Sequence, residues 1–331
     1  MKAAAILKRI FEYALILFII ITINFLLTHY MPGDPILHLI GEEEYYNLMA
    51  SNPQVIEEMR EKYGLNKSTL EQYWIYLKTT VTLNFGYSYI YKQPVLDVLL
   101  FRMKWTLMLL IPSVIISAFL GAFLGIKAGW KPGSQFDILT TPLMLLINTT
   151  PTYCISIFVL TFFSFTMGFF PFGGMTSGGL SGLDKALDII WHMFLPLMIL
   201  VISKTSYNYF IMKSSVIEIS EEDYILTATS KGLSDRNVLS KHILKNALLP
   251  YITVVCMQLG FSVAGTMLVE VVFSWKGMGT LIHRSVQVKD FPMLQLSFLF
   301  ISICVIISNI ISDLLYIIVD PRVKEGDSYG Q

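Results

Sequence analysis

The stretch DYILTATSKGLSDRNVLSKHILKNALLP, residues 223–250, is polar and amphipathic in a chain that is otherwise strongly apolar. Hydrophobic residues make up 54% of the 331 residues and charged residues only 15%, whereas a soluble protein usually has about 25% charged residues. The apolar residues form blocks of roughly 20 or more, long enough to cross a bilayer as helices. The sequence therefore predicts an all-α, polytopic membrane protein, because the short alternating segments of a transmembrane barrel are missing.

Six apolar blocks are predicted to be transmembrane helices. Their approximate bounds are 10–30, 105–128, 136–169, 189–212, 246–270 and 291–319. The third block is interrupted by Pro142 and Pro151, and the fourth contains Pro196. The distribution of lysine and arginine among the short loops favours cytoplasmic N- and C-termini.

This topology divides the chain into four parts. They are residues 1–31 with the first helix, an extracytoplasmic segment 32–100, a core 101–320 that contains a cytoplasmic loop 218–250, and a cytoplasmic tail 321–331. The extracytoplasmic segment is predicted to be helical around 42–62. A second helix is predicted after Leu65, where Leu70, Tyr73, Trp74 and Leu77 recur at near-helical spacing.

The polar stretch itself predicts two helices joined by a glycine corner. Ser220 and Asp223 have the spacing of a capping box with an acidic residue at the fourth position. Gly232 suits the left-handed conformation that ends many helices, and Ser234 can cap the next one. The second helix then feeds into the fifth span at Pro250. A lever gripped by a soluble partner and an ordinary helical loop both fit this pattern.

Several motifs resemble one family of transport proteins. The polar stretch is similar to the EAA loop of permease subunits in binding-protein-dependent ABC importers, and closest to the dipeptide/oligopeptide/nickel branch. In the Glu-Ala-Ala positions this chain has Leu226, Thr227 and Ala228, and the distance from Gly232 to Pro250 exceeds the general spacing, as is usual for that branch. Further matches are MPGDP (31–35), LNFGYSY (83–89), QPVLDVLL (93–100), VEVVFSWKGMGTLI (269–282) and DLLYIIVDPRVK (313–324).

The resemblance implies a type I ABC importer permease fold and a division of labour. The chain would be the first of two homologous permeases that form one pathway in the cytoplasmic membrane, in contact with lipid. Two cytoplasmic ATPase subunits would hold ATP and Mg²⁺ and grip the EAA loops, and an extracytoplasmic binding protein would deliver substrate. The residues that the resemblance assigns to ATPase coupling are Asp223, Tyr224, Thr227, Ala228, Lys231, Gly232, Leu233, Ser234 and Arg236. The chain has no GK[ST] sequence and hence no P-loop, so we expect no cofactor and no ATP site of its own.

Two ionisable residues fall inside predicted spans, Lys204 in the fourth and Glu270 near the outer end of the fifth. Charged residues within a membrane usually face a bundle interior or an aqueous path. Both are therefore candidates for the translocation pathway. The alternatives are that Lys204 snorkels or pairs structurally, and that Glu270 is interfacial and solvated.

Other functional classes fit less well. An intramembrane hydrolase would need more than GFSVA (260–264), which lacks the second glycine of G-x-S-x-G and a histidine base. A secondary transporter often shows inverted halves, whereas the polar loop occurs once. The balanced net charge disfavours nucleic acid, and the histidines and three cysteines lack metal-ligand spacing. Peptides are the default substrate of the resembling branch, with nickel or a metal chelate as the alternative.

Overall fold

The computed structural model describes residues 3–319, of which residues 3–10, 259–261, 263–265 and 312–319 are described by their backbone alone. The predicted tail, 321–331, lies outside the described residues. The described part of the chain is helical, apart from turns and one isolated antiparallel bridge between Tyr87 and Pro94. Its α-helices are α1 Ala3–His29, α2 Pro35–Ile40, α3 Glu42–Ser51, α4 Pro53–Lys62, α5 Thr69–Thr82, α6 Val95–Trp130, α7 Gln135–Thr149, α8 Thr152–Val159, α9 Gly182–Ser220, α10 Asp223–Ser230, α11 Asp235–Asn237, α12 Leu244–Gly265, α13 Met267–Val272, α14 Met278–Gln287 and α15 Phe291–Val319.

Four of these helices are long and apolar enough to cross a membrane. They are Phe11–His29 within α1, the whole of α6, the whole of α9, and Phe291–Ile311 within α15. A fifth span is formed if the bent pair Gln135–Thr149 and Thr152–Thr166 is taken together. The chain is thus an all-α, multi-pass membrane protein. The predicted fifth span coincides with α12 and α13 and stays a prediction, as do the total of six and the sidedness.

The third predicted span is broken at Pro151 and not at Pro142. Thr150 has the extended backbone (φ −84°, ψ 125°) that a residue before proline favours, and the two helices meet there at 97°. Pro142 is accommodated inside α7. The last turns of this segment, Leu160–Thr166, are π-helical.

The residues up to Trp105 form one compact unit together with Gly277–Ile303. Its apolar core combines Phe25 of α1, Tyr76 of α5 and Leu99 of α6 with Met278 and Met293. Asn24 links these elements, because its amide donates to the Tyr76 hydroxyl at 2.9 Å and to the backbone oxygen of Gln295 at 2.8 Å. The helices predicted within residues 32–100 are confirmed as α3, α4 and α5.

Asp34 organises the start of this segment. One carboxylate oxygen accepts the backbone N–H of Ile36 at 2.9 Å and caps α2. The other accepts the hydroxyl of Tyr45 at 2.8 Å and an N–H of Arg60. The hydrogen bond to Asp34 raises the pKa of Tyr45. Asp34 therefore joins α2, α3 and α4, which surround a small core of Ile36, Tyr45 and Ile56.

The second unit comprises Thr106–Lys276 with the residues from Cys304 onward. Within it, α6 packs against α9 through glycines at four-residue intervals, Gly121, Gly125 and Gly129. A Cβ added at any of them would come under 3.0 Å from α9 atoms, among them the Tyr209 and Lys213 backbone oxygens. Small residues at this spacing let helices in membranes approach closely. The contact fixes the C-terminal half of α9, from which the polar loop continues.

Candidate coupling site

The polar loop forms the predicted glycine corner. Helix α10 ends at Ser230 with Lys231 as its C-cap, and Gly232 follows with φ +79°. The Gly232 N–H donates to the Thr229 oxygen at 2.9 Å, and the Leu233 N–H donates to the Ala228 oxygen at 3.4 Å. These two hydrogen bonds are those of a Schellman motif, in which a left-handed residue ends the helix. The predicted conformation of Gly232 is therefore confirmed.

The second helix continues into the predicted fifth span without a break. The backbone oxygen of Ser234 accepts the N–H groups of Asn237 at 2.8 Å and Val238 at 3.0 Å, and these hydrogen bonds start α11. A π-helical turn, Val238–Ile243, connects α11 directly to α12. A movement of the corner can thus be carried along one continuous helix from Asp235 to Gly265.

The predicted capping box at Ser220 is wrong. Helix α9 extends to Ser220, whose hydroxyl donates to the Val216 oxygen one turn earlier at 2.6 Å. Glu222 occupies the N-cap position of α10, without a side-chain capping bond. A serine hydroxyl that is already bonded within the preceding helix is not available as a cap. Ser234 does hold the N-cap position of α11, but through its backbone only.

Buried apolar residues attach the corner to the membrane helices. Ile225 of α10 packs in one cluster with Val238 and Ile243 of the π-helical turn and with Met212 and Val216 of α9. The Tyr224 hydroxyl accepts the side-chain amide of Asn246 at 2.7 Å. This bond connects the first helix of the corner to the first turn of α12. The corner is therefore a rigid continuation of α9 and α12.

Most of the predicted coupling residues are exposed on this rigid support. Asp223, Tyr224, Thr227, Lys231, Gly232, Leu233, Ser234 and Arg236 are exposed. Ala228 is 6% exposed and packs inward beside Ile225, so it stabilises the corner and does not face outward. Leu226 was not predicted as a site residue, yet it is 69% exposed. Ile225 and Ala228 share the buried face of α10, and Leu226 lies on a different face. This helical spacing is the sequence signal that would have identified Leu226 as an exposed residue.

Lys204 lies at a cavity lined by residues of α8, α9 and α12 in the second unit. Its ammonium donates to the Ser262 hydroxyl. The cavity has a volume of about 450 Å³ and is also lined by Ser203, Tyr207 and Gln258. The structure therefore brings Lys204 next to an open space of the size that small ligands occupy.

Glu270 is fully buried within the same unit. The Thr106 hydroxyl donates to its carboxylate at 2.6 Å, and the Trp275 N–H donates to its backbone oxygen at 2.8 Å. The alternative of an interfacial, solvated Glu270 is wrong, because the side chain is 0% exposed. Its assignment to the pathway stays a prediction.

A charged pair in this unit was not predicted. Lys213 of α9 donates to Asp137 of α7 and, at 2.8 Å, to the hydroxyl of Thr141. The two side chains are only 16% and 11% exposed. Asp137 also accepts the Gly133 N–H at 3.0 Å. The pair ties the beginning of α7 to α9 just before the polar loop.

Comparisons with known proteins agree with the motifs described above. Residues 117–325 match the family model described as "Binding-protein-dependent transport system inner membrane component", and residues 3–110 match the model of the corresponding N-terminal part. The chain belongs to this family. The permease is 30% identical, over 98% of its own length and 99% of the relative, to a putative peptide transport system permease protein of Brucella melitensis biotype 1.

A second relative is the glutathione transport system permease protein GsiC of Shigella flexneri serotype 5b, 31% identical over 96% of this permease and 98% of the relative. A crystal structure of an amino acid ABC transporter with histidines aligns with 68% of the permease and 94% of that chain, at 13% identity and a TM-score of 0.49. The family resemblance predicted from the motifs is confirmed. The permease is a transport subunit of an ABC importer and not a catalytic enzyme.

Proposed function

We propose that the permease forms, with a second homologous permease, the pathway of a peptide importer in the cytoplasmic membrane. Two cytoplasmic ATPase subunits hydrolyse ATP, and an extracytoplasmic binding protein delivers the peptide. The chain contributes six transmembrane helices, with α12 and α13 forming the fifth span and both termini in the cytoplasm. The Brucella and Shigella relatives, one named for peptides and the other for the tripeptide glutathione, support peptides as substrate.

The observation that carries this proposal is the exposed corner around Gly232. Leu226, Tyr224 and Leu233 expose apolar surface on an otherwise polar loop. Exposed apolar groups rimmed by polar ones are typical of protein–protein contacts. Since α11 continues into α12 without a break, a partner that holds the corner is mechanically connected to a membrane helix.

The charges of the corner agree with a docking helix. Asp223 lies in the first turn of α10, where it complements the positive end of the helix dipole. Lys231, Arg236 and Lys241 are exposed on the later part of the loop. A groove on each ATPase subunit that accepts an apolar ridge flanked by cations would bind this surface.

Site-specific cross-linking tests this docking. A photoreactive amino acid at Leu226 is expected to cross-link the ATPase subunit in the assembled complex. The matched control is position 187, where Leu187 is also exposed but lies near the opposite end of α9. Cross-linking to the ATPase from Leu187, or none from Leu226 in an active complex, would contradict the proposed docking surface.

A further inference from the structure

Lys204 is a cation for which the described lining of its cavity supplies no anion. Counting along α9 at about 1.5 Å per residue, it lies roughly 24 Å from Ser220 and 33 Å from Gly182, within a helix that qualifies as a span. The described residues that line its cavity include no aspartate or glutamate. Its hydrogen-bond acceptor is the neutral hydroxyl of Ser262.

Lys213, nine residues further along the same helix, shows how this chain satisfies a lysine permanently. Its ammonium contacts the Asp137 carboxylate and the Thr141 hydroxyl. Charged side chains inside membranes are costly and are usually paired. Lys213 is held by a carboxylate, whereas Lys204 faces an open cavity. This difference points to a ligand at Lys204.

Two further residues that line the cavity each have an unsatisfied polar atom. The Ser203 hydroxyl and the Gln258 side-chain oxygen are buried and have no hydrogen-bond partner within the described part of the chain. The Gln258 amide nitrogen is already used, because it donates to Asn208 at 2.7 Å. Buried polar atoms usually have partners. The cavity is thus lined by one cation and by two residues whose buried oxygen atoms have no hydrogen-bond partner within the described part of the chain.

We propose that this cavity is a carboxylate site of the pathway, in which Lys204 and Ser203 bind the C-terminal carboxylate of a peptide. The Gln258 oxygen then accepts the N–H of the last peptide bond, so the three groups match the end of a peptide chain. The inference rests on the proposed function and specifies which part of the substrate is recognised. Because the groups recognise the backbone end, the site selects peptides over amines and sugars without depending on side chains.

The test is uptake of labelled trialanine into proteoliposomes that contain the complete complex with its binding protein. Lys204→Met removes a charged hydrogen bond, so uptake is expected to fall roughly 10- to 100-fold. The preference for trialanine over trialanine amide, corrected for their affinities to the binding protein, is expected to fall toward one. Lys185→Met is the matched control, because Lys185 lies on the same helix but is exposed; its uptake should equal that of the wild type.

Charge restoration separates recognition from folding. In a background without Cys154, Cys256 and Cys304, Lys204→Cys is treated with a methanethiosulfonate reagent that adds an aminoethylthio group through a disulfide, or with one that adds a methylthio group; methanesulfinate is released in both cases. The cationic reagent is expected to restore most of the uptake, and the neutral reagent is not.

Three results would overturn the proposal in distinguishable ways. A wild-type complex that takes up no trialanine would refute the proposed function itself. Wild-type uptake together with unchanged uptake and selectivity in Lys204→Met would refute only the carboxylate site. Loss of the second permease from purified Lys204→Met complex would show that the lysine binds a carboxylate of that subunit and not of the substrate.

Discussion

Replacing Gly232 by valine would place a β-branched side chain at the left-handed corner between α10 and α11. A carbon added at Gly232 meets no atom within 4 Å, so steric overlap with neighbouring elements contributes nothing. The cost arises from the backbone, since φ is +79° and a left-handed conformation costs an L-residue about 1–2 kcal/mol. That free energy corresponds to a roughly 5- to 30-fold shift of a local equilibrium.

The shift acts on the end of α10 and leaves the membrane helices intact. The two Schellman hydrogen bonds of the corner depend on the left-handed residue, whereas Ile225 and Val238 remain in their apolar cluster. We therefore expect Gly232→Val to insert normally and to pair with the second permease. Co-purification of the ATPase subunits and uptake of labelled peptide should both fall roughly 5- to 30-fold.

Two controls make this prediction specific. Gly232→Asn should keep most of the activity, because asparagine tolerates the left-handed region better than other residues. Gly133 has nearly the same φ, +77°, in the turn between α6 and α7, and an added carbon there also meets no atom within 4 Å. Gly133→Val should carry the same backbone cost and leave ATPase binding unchanged. Normal uptake by Gly232→Val at wild-type expression, or equal loss in Gly133→Val, would refute the coupling role of the corner.

Three further variants test the surroundings of the corner. Leu226→Ser should leave the thermal stability of the purified permease unchanged and weaken ATPase co-purification; unchanged binding would exclude Leu226 from the docking surface. Gly125→Val should lower the free energy of unfolding by about 1–3 kcal/mol, because its side chain would overlap α9. An equally stable variant would contradict the close packing of α6 and α9. Lys213→Met should cost about 3–5 kcal/mol by leaving Asp137 buried and unpaired. The double variant with Asp137→Leu should recover part of that loss, and a double variant as unstable as the single one would argue against the pair.

Local sequence chemistry was sufficient for the features that depend on one residue. The left-handed corner follows from Gly232, because other residues resist that conformation. Of the two interruptions predicted in the third span, the one at Pro151 is confirmed, because proline restricts the residue before it, whereas Pro142 lies inside α7. Long apolar blocks were equally informative, as α15 occupies the predicted bounds 291–319.

Features that depend on competition or on distant partners could not be predicted in the same way. Ser220 has the spacing of a cap, but the longer α9 incorporates it and satisfies its hydroxyl internally. Helix α6 begins at Val95, well before the apolar block at 105, because packing of Val95, Val98 and Leu99 in the core extends it. The contact between Lys213 and Asp137 joins residues 76 positions apart, and no local pattern reports it.

The candidate site was only partly accessible from sequence for the same reason. Motif similarity identified the loop and its exposed residues, but it placed Ala228 among the contact residues, where the structure buries it. Leu226 was overlooked because motif comparison considers identities and not which face of α10 is buried. The cavity at Lys204 depends on Gln258 and Ser262, which lie more than 50 residues away in the chain.

The most direct test of the importer function is peptide transport by a reconstituted complex. The permease, its homologous partner and two ATPase subunits are placed in proteoliposomes, with ATP on the side of the Gly232 corner and the binding protein with labelled peptide on the other. We predict accumulation of peptide on the ATP side that requires hydrolysis and is absent when the ATPase subunits are omitted. Accumulation driven by an ion gradient without ATP, or ATP hydrolysis by the purified permease alone, would contradict the account.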